Sequence, residues 1–280
     1  MNEFRRTFGK LAKNRLAMIS LIVFLLISFL SVFAPLISPH SPEKTNSGAI
    51  FVKPCLEYPM GTDNLGRCLF SRILYGGRIT LIVGIVTVAI SMTIGSTIGL
   101  VSGFYRGRID RIISSLMDAI WAFPTIILAL AITAALGSGL VNVIIAIGIV
   151  FVPAFARVVR SMVLSIREME YVQSAKVAGL NDFKIIWRYI LPNVMPVIIV
   201  QASLNAAQAI ISEAALSFMG LGIQPPDASW GYMLKVGYPF LWASPELSIF
   251  PGLMILLVVL SLNFLGDGLR DALDVRIRLE

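Results

Sequence analysis

Histidine and cysteine are nearly absent from this 280-residue chain. His40 is the single histidine, and Cys55 and Cys68 are the only cysteines. One histidine leaves no material for a histidine-based metal site, and two cysteines are too few for a structural metal cluster or a disulfide framework. Charge is also scarce, at 14% of residues against roughly 25% for a soluble globular domain. The chain has no G-x-x-x-x-G-K-[ST] phosphate loop, no H-E-x-x-H, no G-x-S-x-G and no C-x-x-C. His40 sits in a Pro-rich stretch that reads as exposed loop, so no Ser/His/Asp set can be assembled around it. These absences exclude a self-contained ATPase, hydrolase or metalloenzyme and call for no cofactor. If the chain does ATP-driven work, another subunit must supply the ATPase.

What is abundant is apolar surface, at 57% of residues with a mean hydropathy of +0.84. A soluble fold of this length cannot hide so much, and the composition is that of a polytopic membrane protein. Six apolar spans are predicted: Leu16–Ile37, Ile79–Gly103, Met117–Leu136, Leu140–Ala156, Val194–Gly220 and Leu247–Gly266. About 20 residues cross a ~30 Å hydrocarbon core. The first run is longer than the 7–15 apolar residues of a signal peptide and reads as an uncleaved helix. Gly137-Ser138-Gly139 joins the third and fourth spans in a tight hairpin.

The net charge of +7 is distributed unevenly. With the N-terminus cytoplasmic, segments 1–15, 104–116, 157–193 and 267–280 lie inside and carry 17 of the 23 Lys and Arg in 79 residues. The outside segments 38–78, 137–139 and 221–246 carry 6 in 70 residues. This bias predicts that both termini are cytoplasmic. The organisation is then an N-terminal segment 1–15, a first helix 16–37, an extracytoplasmic loop 38–78, a five-helix core 79–266 containing the loop 157–193, and a tail 267–280. Trp230 and Trp242 suit a membrane–water interface. Cys55 and Cys68 share the outside loop, where a disulfide and two independent thiols are both open readings.

Within the spans, Ser91, Gly95, Gly99 and Gly103 recur every four residues and stack along one helix face, which lets a neighbouring backbone come close. Gln201, Asn205, Gln208 and Ser212 fall within about 60° of one another at ~100° per residue. A polar stripe of this kind must face protein or water. It reads either as the wall of a translocation path or as interhelical hydrogen bonding. Glu213 falls on the neighbouring small-residue face with Ala202, Ala206 and Ala209, which predicts a close helix contact and a local hydrogen-bond partner. Pro124, Pro153, Pro196 and Pro251 lie inside spans and predict kinks.

The longest cytoplasmic segment, 157–193, contains two helical patterns, Glu168–Ala178 and Asp182–Leu191, separated by Gly179. Asp182 is placed to cap the second, and Pro192 to stop it. Tyr171, Val172, Val177, Phe183, Ile185, Ile186 and Trp187 interleave with charge, as in a segment that docks onto a protein partner.

Gln173-Ser174-Ala175-x-x-x-Gly179, followed by Ile190-Leu191-Pro192, resembles the cytoplasmic EAA loop of ABC-importer permeases. Gln173 and Ser174 replace the usual Glu and Ala, and the isoleucine stands one place nearer the Leu-Pro. Gly61-Thr62-Asp63-Asn64-Leu65-Gly66-Arg67 with Ser71-Arg72 is similar to the outside loop of the dipeptide/oligopeptide/nickel permease class. So are Leu216-Ser217-Phe218-Met219-Gly220-Leu221-Gly222, Ser229-Trp230-Gly231 and Asn263-Phe264-Leu265-Gly266-Asp267. Ala12-Lys13-Asn14-Arg15 and Ala34-Pro35-Leu36-Ile37 look like the second, "C"-type, subunit of that class. Cys68 departs from the Asp usual there, so any ionic role of that position is lost.

The resemblance covers nearly the whole chain. It implies an all-α, six-helix type I importer permease in a bacterial or archaeal cytoplasmic membrane. Such a subunit pairs with a homologous permease, two ABC ATPase subunits and an extracytoplasmic solute-binding protein, and uses no nucleic acid. Gln173, Ser174, Ala175, Gly179, Leu191 and Pro192 are the implied coupling residues. ATP-driven closure of the ATPases would move this loop and swing the cavity from outward- to inward-open. Di- and oligopeptides are the first cargo reading, and nickel or another metal chelate the second. A stand-alone channel or ion-coupled transporter is the alternative of a different class; it would need no docking loop and would more often carry several intramembrane charges.

Overall fold

The computed structural model describes residues 9–273, and among them it is built of helices without strands. The helices are α1 (Arg15–Val32), α2 (Leu69–Tyr105), α3 (Gly107–Trp121), α4 (Thr125–Leu136), α5 (Leu140–Ile166), α6 (Glu170–Val177), α7 (Leu191–Met219), α8 (Trp230–Gly237) and α9 (Glu246–Leu273). Four-residue helices at Ala34–Ile37 and Asp182–Ile185 complete the first and fifth apolar segments. Five segments are long and apolar enough to cross a membrane, and α3 with α4 makes a sixth if the bent pair counts as one span. The expected cytoplasmic ends lie in part, at 1–8 and 274–280, outside the described residues.

The centre of the fold is the pairing of α2 with α5. In lipid, apolar side chains gain little from leaving the solvent, so association rests on close packing of small residues. The glycine stripe of α2 provides it. A Cβ on Gly95 would stand 2.5 Å from the Val152 carbonyl oxygen, and one on Gly99 2.6 Å from that of Ala156. One on Gly103 would lie 2.8 Å from Val163 Cβ. The two backbones therefore touch along three turns. α7 and α9 pack beside this pair, and α1 lies against α9 and α2. Leu16, Ile19, Ile22, Leu25 and Phe29 of α1 stay uncovered, as a lipid-facing surface requires. Leu11, Ala17 and Ala272 cluster, so the start of α1 meets the end of α9.

Several sequence expectations need correction. The third span is not one helix. α3 and α4 meet at 89° across Ala122–Pro124, because Pro124 has no N–H to continue the ladder. Pro153, Pro196 and Pro251 remain inside continuous helices. α2 begins at Leu69, ten residues before the predicted start, so the loop between α1 and α2 is correspondingly shorter. α5 and α9 also outrun their apolar runs, ending at Ile166 and Leu273.

Pro192 does not stop a helix. The Asp182–Ile185 turn passes through a π turn, Ile186–Ile190, into α7, and Pro192 sits in the first turn of that helix. Asn181, not Asp182, is the cap; its side chain accepts from Lys184 N at 2.9 Å. Trp230 is fully buried, its indole N–H donating to Ile73 O at 2.9 Å, whereas Trp242 is fully exposed. His40 is half-buried and stacked on Tyr58 with ring centroids 4.8 Å apart.

The segment between α1 and α2 folds around Asp63. Its carboxylate accepts from Leu65 N and Arg67 N, both at 2.9 Å, and pairs with Arg67 Nε at 2.7 Å. Arg72, 2% exposed, approaches the same carboxylate and donates to Pro42 O at 3.0 Å. Cys55 and Cys68 are not bridged. Cys68 is buried at the start of α2 beside Ala49 and Tyr58, while Cys55 is exposed and its Sγ accepts from Tyr58 N at 3.4 Å.

Candidate translocation cavity and docking surface

The polar stripe of α7 opens onto a cavity. Gln201, Asn205, Gln208 and Ser212 all line one space of about 660 Å³. Its facing wall is the α3–α4 bend, with Trp121, Phe123 and Pro124, and its third side is α5, with Phe151 and Ala154. The volume lies within the roughly 300–1,000 Å³ of sites that hold drug-sized molecules. No charged side chain lines it. The four residues recur at one-turn spacing, so hydrogen-bonding groups are presented about every 5–6 Å along the helix.

Within this chain the hydrogen bonds of the stripe stay inside α7. Gln201 Nε2 donates to Asn205 Oδ1 at 2.9 Å, and Ser212 Oγ donates to Gln208 O at 2.8 Å, both within the same helix. Gln208 is exposed to the cavity. Asn205 is 6% exposed and its Nδ2 has no partner.

Glu213 stands apart from the cavity. It is fully buried, and two hydroxyls donate to it: Ser217 Oγ to Oε1 at 2.7 Å and Thr80 Oγ1 to Oε2 at 3.3 Å. Each hydroxyl also accepts a backbone N–H, from Ile223 at 3.0 Å and Trp230 at 3.4 Å. One carboxyl thus anchors both ends of the turn 223–230 to α2 and α7. The close contact and local partners expected for Glu213 are present. Gly231 against the Ala214 backbone, where a Cβ would lie 2.5 Å from Cα, tightens the same joint.

The second surface is the loop after α5. Gln173 Nε2 donates to Arg167 O at 2.7 Å, which ties α6 to the end of α5. Val172 and Ala175 are buried beneath, with Ile185 and Ile190. Ser174 and Gly179 face outward, Leu191 is half-buried and Pro192 exposed. Gly179 has φ +77° and ends α6; Leu180 N donates to Ala175 O at 3.2 Å and Gly179 N to Lys176 O at 3.0 Å. That is a Schellman ending, with Leu180 packed in the same core as Ala175. Around it, Val177 is 90% exposed, Phe183 69% and Trp187 56%, the two rings 6.0 Å apart. Three large apolar side chains are thus left uncovered on α6 and the turn that follows it.

Sequence reasoning missed the bend residues Trp121 and Phe123 as cavity wall. The signal was present in Phe123-Pro124, but hydropathy alone runs unbroken across it.

A family model described as the binding-protein-dependent transport system inner membrane component matches residues 95–279, and one described as the N-terminal TM domain of oligopeptide transport permease C matches residues 3–54. The dipeptide transport system permease protein DppC of Alkalihalophilus pseudofirmus is 45% identical over 99% of this chain and 91% of its own length. The glutathione transport system permease protein GsiD of Pectobacterium atrosepticum is 42% identical over 99% of this chain and 91% of its own. The di/tripeptide transport system permease protein DppC of Pseudomonas aeruginosa is 39% identical over 99% of this chain and 93% of its own. Among solved structures, an inward-facing MetNI methionine ABC transporter matches with a TM-score of 0.59 at 18% identity, over 72% of this chain and 95% of that one. That likeness is one of fold.

Proposed function

The chain belongs to the family of binding-protein-dependent transport system inner membrane components, and from that premise we propose that its cavity is half of a translocation path for di- and oligopeptides. The observation that carries the reading is the convergence of Gln201, Asn205, Gln208 and Ser212 with the α3–α4 bend on one uncharged polar space. A peptide offers carbonyls and N–H groups at short, regular intervals whatever its side chains. Amide side chains, which both donate and accept, can exchange with that backbone without selecting side-chain charge. The relatives named for dipeptides, di/tripeptides and glutathione support the same cargo class. Among the described residues no three His, Cys, Asp or Glu come together as a cation site, so a bare metal ion gains no support as cargo.

The cavity is open on one side in the single chain, which favours a second, homologous permease as the opposite wall. ATP hydrolysis falls to two separate ATPase subunits, and initial capture of cargo to an extracytoplasmic binding protein. The exposed Val177, Phe183 and Trp187 around Gly179 are the docking face for an ATPase subunit, with Gln173, Ser174, Ala175, Leu191 and Pro192 setting its geometry. Residues 79–266 act as the core. The basic-residue bias and the meeting of α1's start with α9's end favour both termini on the cytoplasmic side of a bacterial or archaeal membrane.

Uptake by the reconstituted complex tests the path. The double variant Asn205→Leu/Gln208→Leu should lose most dipeptide uptake while still co-purifying with the ATPase subunits. Nickel-chelate uptake measured in parallel decides between cargoes. Unchanged peptide uptake in the double variant removes the stripe from the path.

A further inference from the structure

α3 is held in an unusual way for a helix of this fold. Of its 15 residues only Met117 is buried, and Ile109, Ile112 and Leu116 are 47%, 70% and 60% exposed. Apolar contact is confined to one face, where Ile113, Met117 and Ile120 pack with Val152 and Ala156 of α5. Charge fixes the two ends, from two arginines one turn apart on α5. Arg160 grips Asp110 with both arms of its guanidinium, at 2.6 and 2.7 Å. Arg157 pairs with Asp118 at 2.9 Å and lies over the Trp121 ring, 4.2 Å from its centroid. Trp121 is the last residue of α3 and, with Phe123, part of the cavity wall.

Both ends of α3 are joints. At its start Arg106 and Gly107 have φ of +53° and +66°, and at its end the chain turns through 89°. Behind it lies an opening of about 350 Å³, lined by Ser102, Ile113, Met117 and Ala156. The near joint also touches the docking loop. Arg106 pairs with Glu168 at 3.2 Å, just before α6. Arg167 donates to Phe104 O, and its own carbonyl receives Gln173 of α6.

We propose that Arg157 and Arg160 are positioning residues for transport: by holding α3 through Asp118 and Asp110 they set where Trp121 and Phe123 stand in the cavity wall, and they relay movement of the docking loop to that wall. The proposal rests on the cavity being the path. An exposed ion pair such as Arg157–Asp118 biases an equilibrium by about two- to fivefold; the Arg160–Asp110 pair is half-buried, and its bidentate geometry and the arginine–tryptophan contact add to that. Such a hold is strong enough to prefer one position and weak enough to release once per cycle.

The test uses the full transporter in membranes, with Cys55→Ser and Cys68→Ala removing native thiols and Phe123→Cys as reporter. The rate of labelling by a small thiol reagent is measured without nucleotide and with ATP and vanadate, alongside uptake per ATP hydrolysed. Arg157→Gln and Arg160→Gln should each change the nucleotide-free labelling rate two- to fivefold. Together they should change it about tenfold and lower uptake per ATP, with assembly intact. Arg160→Lys, which keeps the charge and loses the fork, should fall between parent and Gln, and it serves where Gln impairs assembly. Equal labelling rates across parent, Lys and Gln variants overturn the proposal. Asn205→Leu/Gln208→Leu is assayed for uptake in the same membranes. Full uptake there overturns the path reading alone, since the labelling series still decides whether the arginines place the wall.

Discussion

Gly179 is the most informative single position in the docking loop, because the structure separates two effects that a substitution usually mixes. A Cβ built there meets nothing within 4 Å, so no side chain is sterically excluded within the chain itself. What the position demands is φ +77°, which costs an L-residue roughly 1–2 kcal/mol. Asn tolerates that region better than other non-glycine residues. If the Schellman ending must be in place for an ATPase subunit to dock, the competent fraction falls with that cost, and apparent affinity falls in proportion. At 1.4 kcal/mol per tenfold, Gly179→Ala should weaken docking about 5- to 30-fold. Gly179→Val should weaken it further, and Gly179→Asn least of the three.

The assay is titration of purified ATPase subunit against permease in nanodiscs, read as stimulated ATP hydrolysis, with uptake in parallel. Membrane insertion should be unchanged, since no span is touched. The order of variants carries the argument: Asn is bulkier than Ala. If Asn is worse than Ala, the partner's surface and not the backbone conformation rules the site. Wild-type docking and uptake in Gly179→Val would remove the loop's cap from the mechanism altogether.

Three further outcomes are expected. Gly99→Leu pushes a side chain into the Ala156 carbonyl and Val159; overpacking costs typically 1–3 kcal/mol, so the detergent-solubilised protein should melt several degrees lower, measured by thermal fluorescence. Glu213→Ala strands the Ser217 and Thr80 hydroxyls in a buried site, at roughly 1–3 kcal/mol for each unsatisfied group; Glu213→Gln keeps one acceptor and should melt closer to the parent, and equal melting of Ala and Gln would dissolve the anchor. Cys55 is exposed and Cys68 buried, both free; a membrane-impermeant thiol reagent on intact cells should label Cys55 alone, and no labelling without prior reduction would show either a bridge or the opposite orientation.

The apolar spans and the polar stripe could be read from the chain because both are local periodicities: run length marks a span, and ~100° per residue puts Gln201, Asn205, Gln208 and Ser212 on one line. The glycine stripe of α2 was legible for the same reason, and its partner was not; nothing in Gly95, Gly99 and Gly103 says that Val152, Ala156 and Val163 lie opposite. The α3–α4 bend escaped for a deeper cause. Residues 107–121 mix Arg108, Asp110, Arg111 and Asp118 with isoleucine, and Arg157 and Arg160, some 40 and 50 residues on, give those carboxylates their ion pairs. Without these partners α3 reads as the polar approach to a straight span. With them it becomes a helix crossing at a right angle whose last residue is cavity wall. Trp230 misled in the opposite direction: a tryptophan near a span end usually marks the interface, but the indole N–H here donates to the Ile73 carbonyl within α2, and the ring goes into the core. In each case the partner that fixes the residue's role lies far along the chain. Partners so distant in sequence are the contacts through which a docking loop and a cavity can be made to move together.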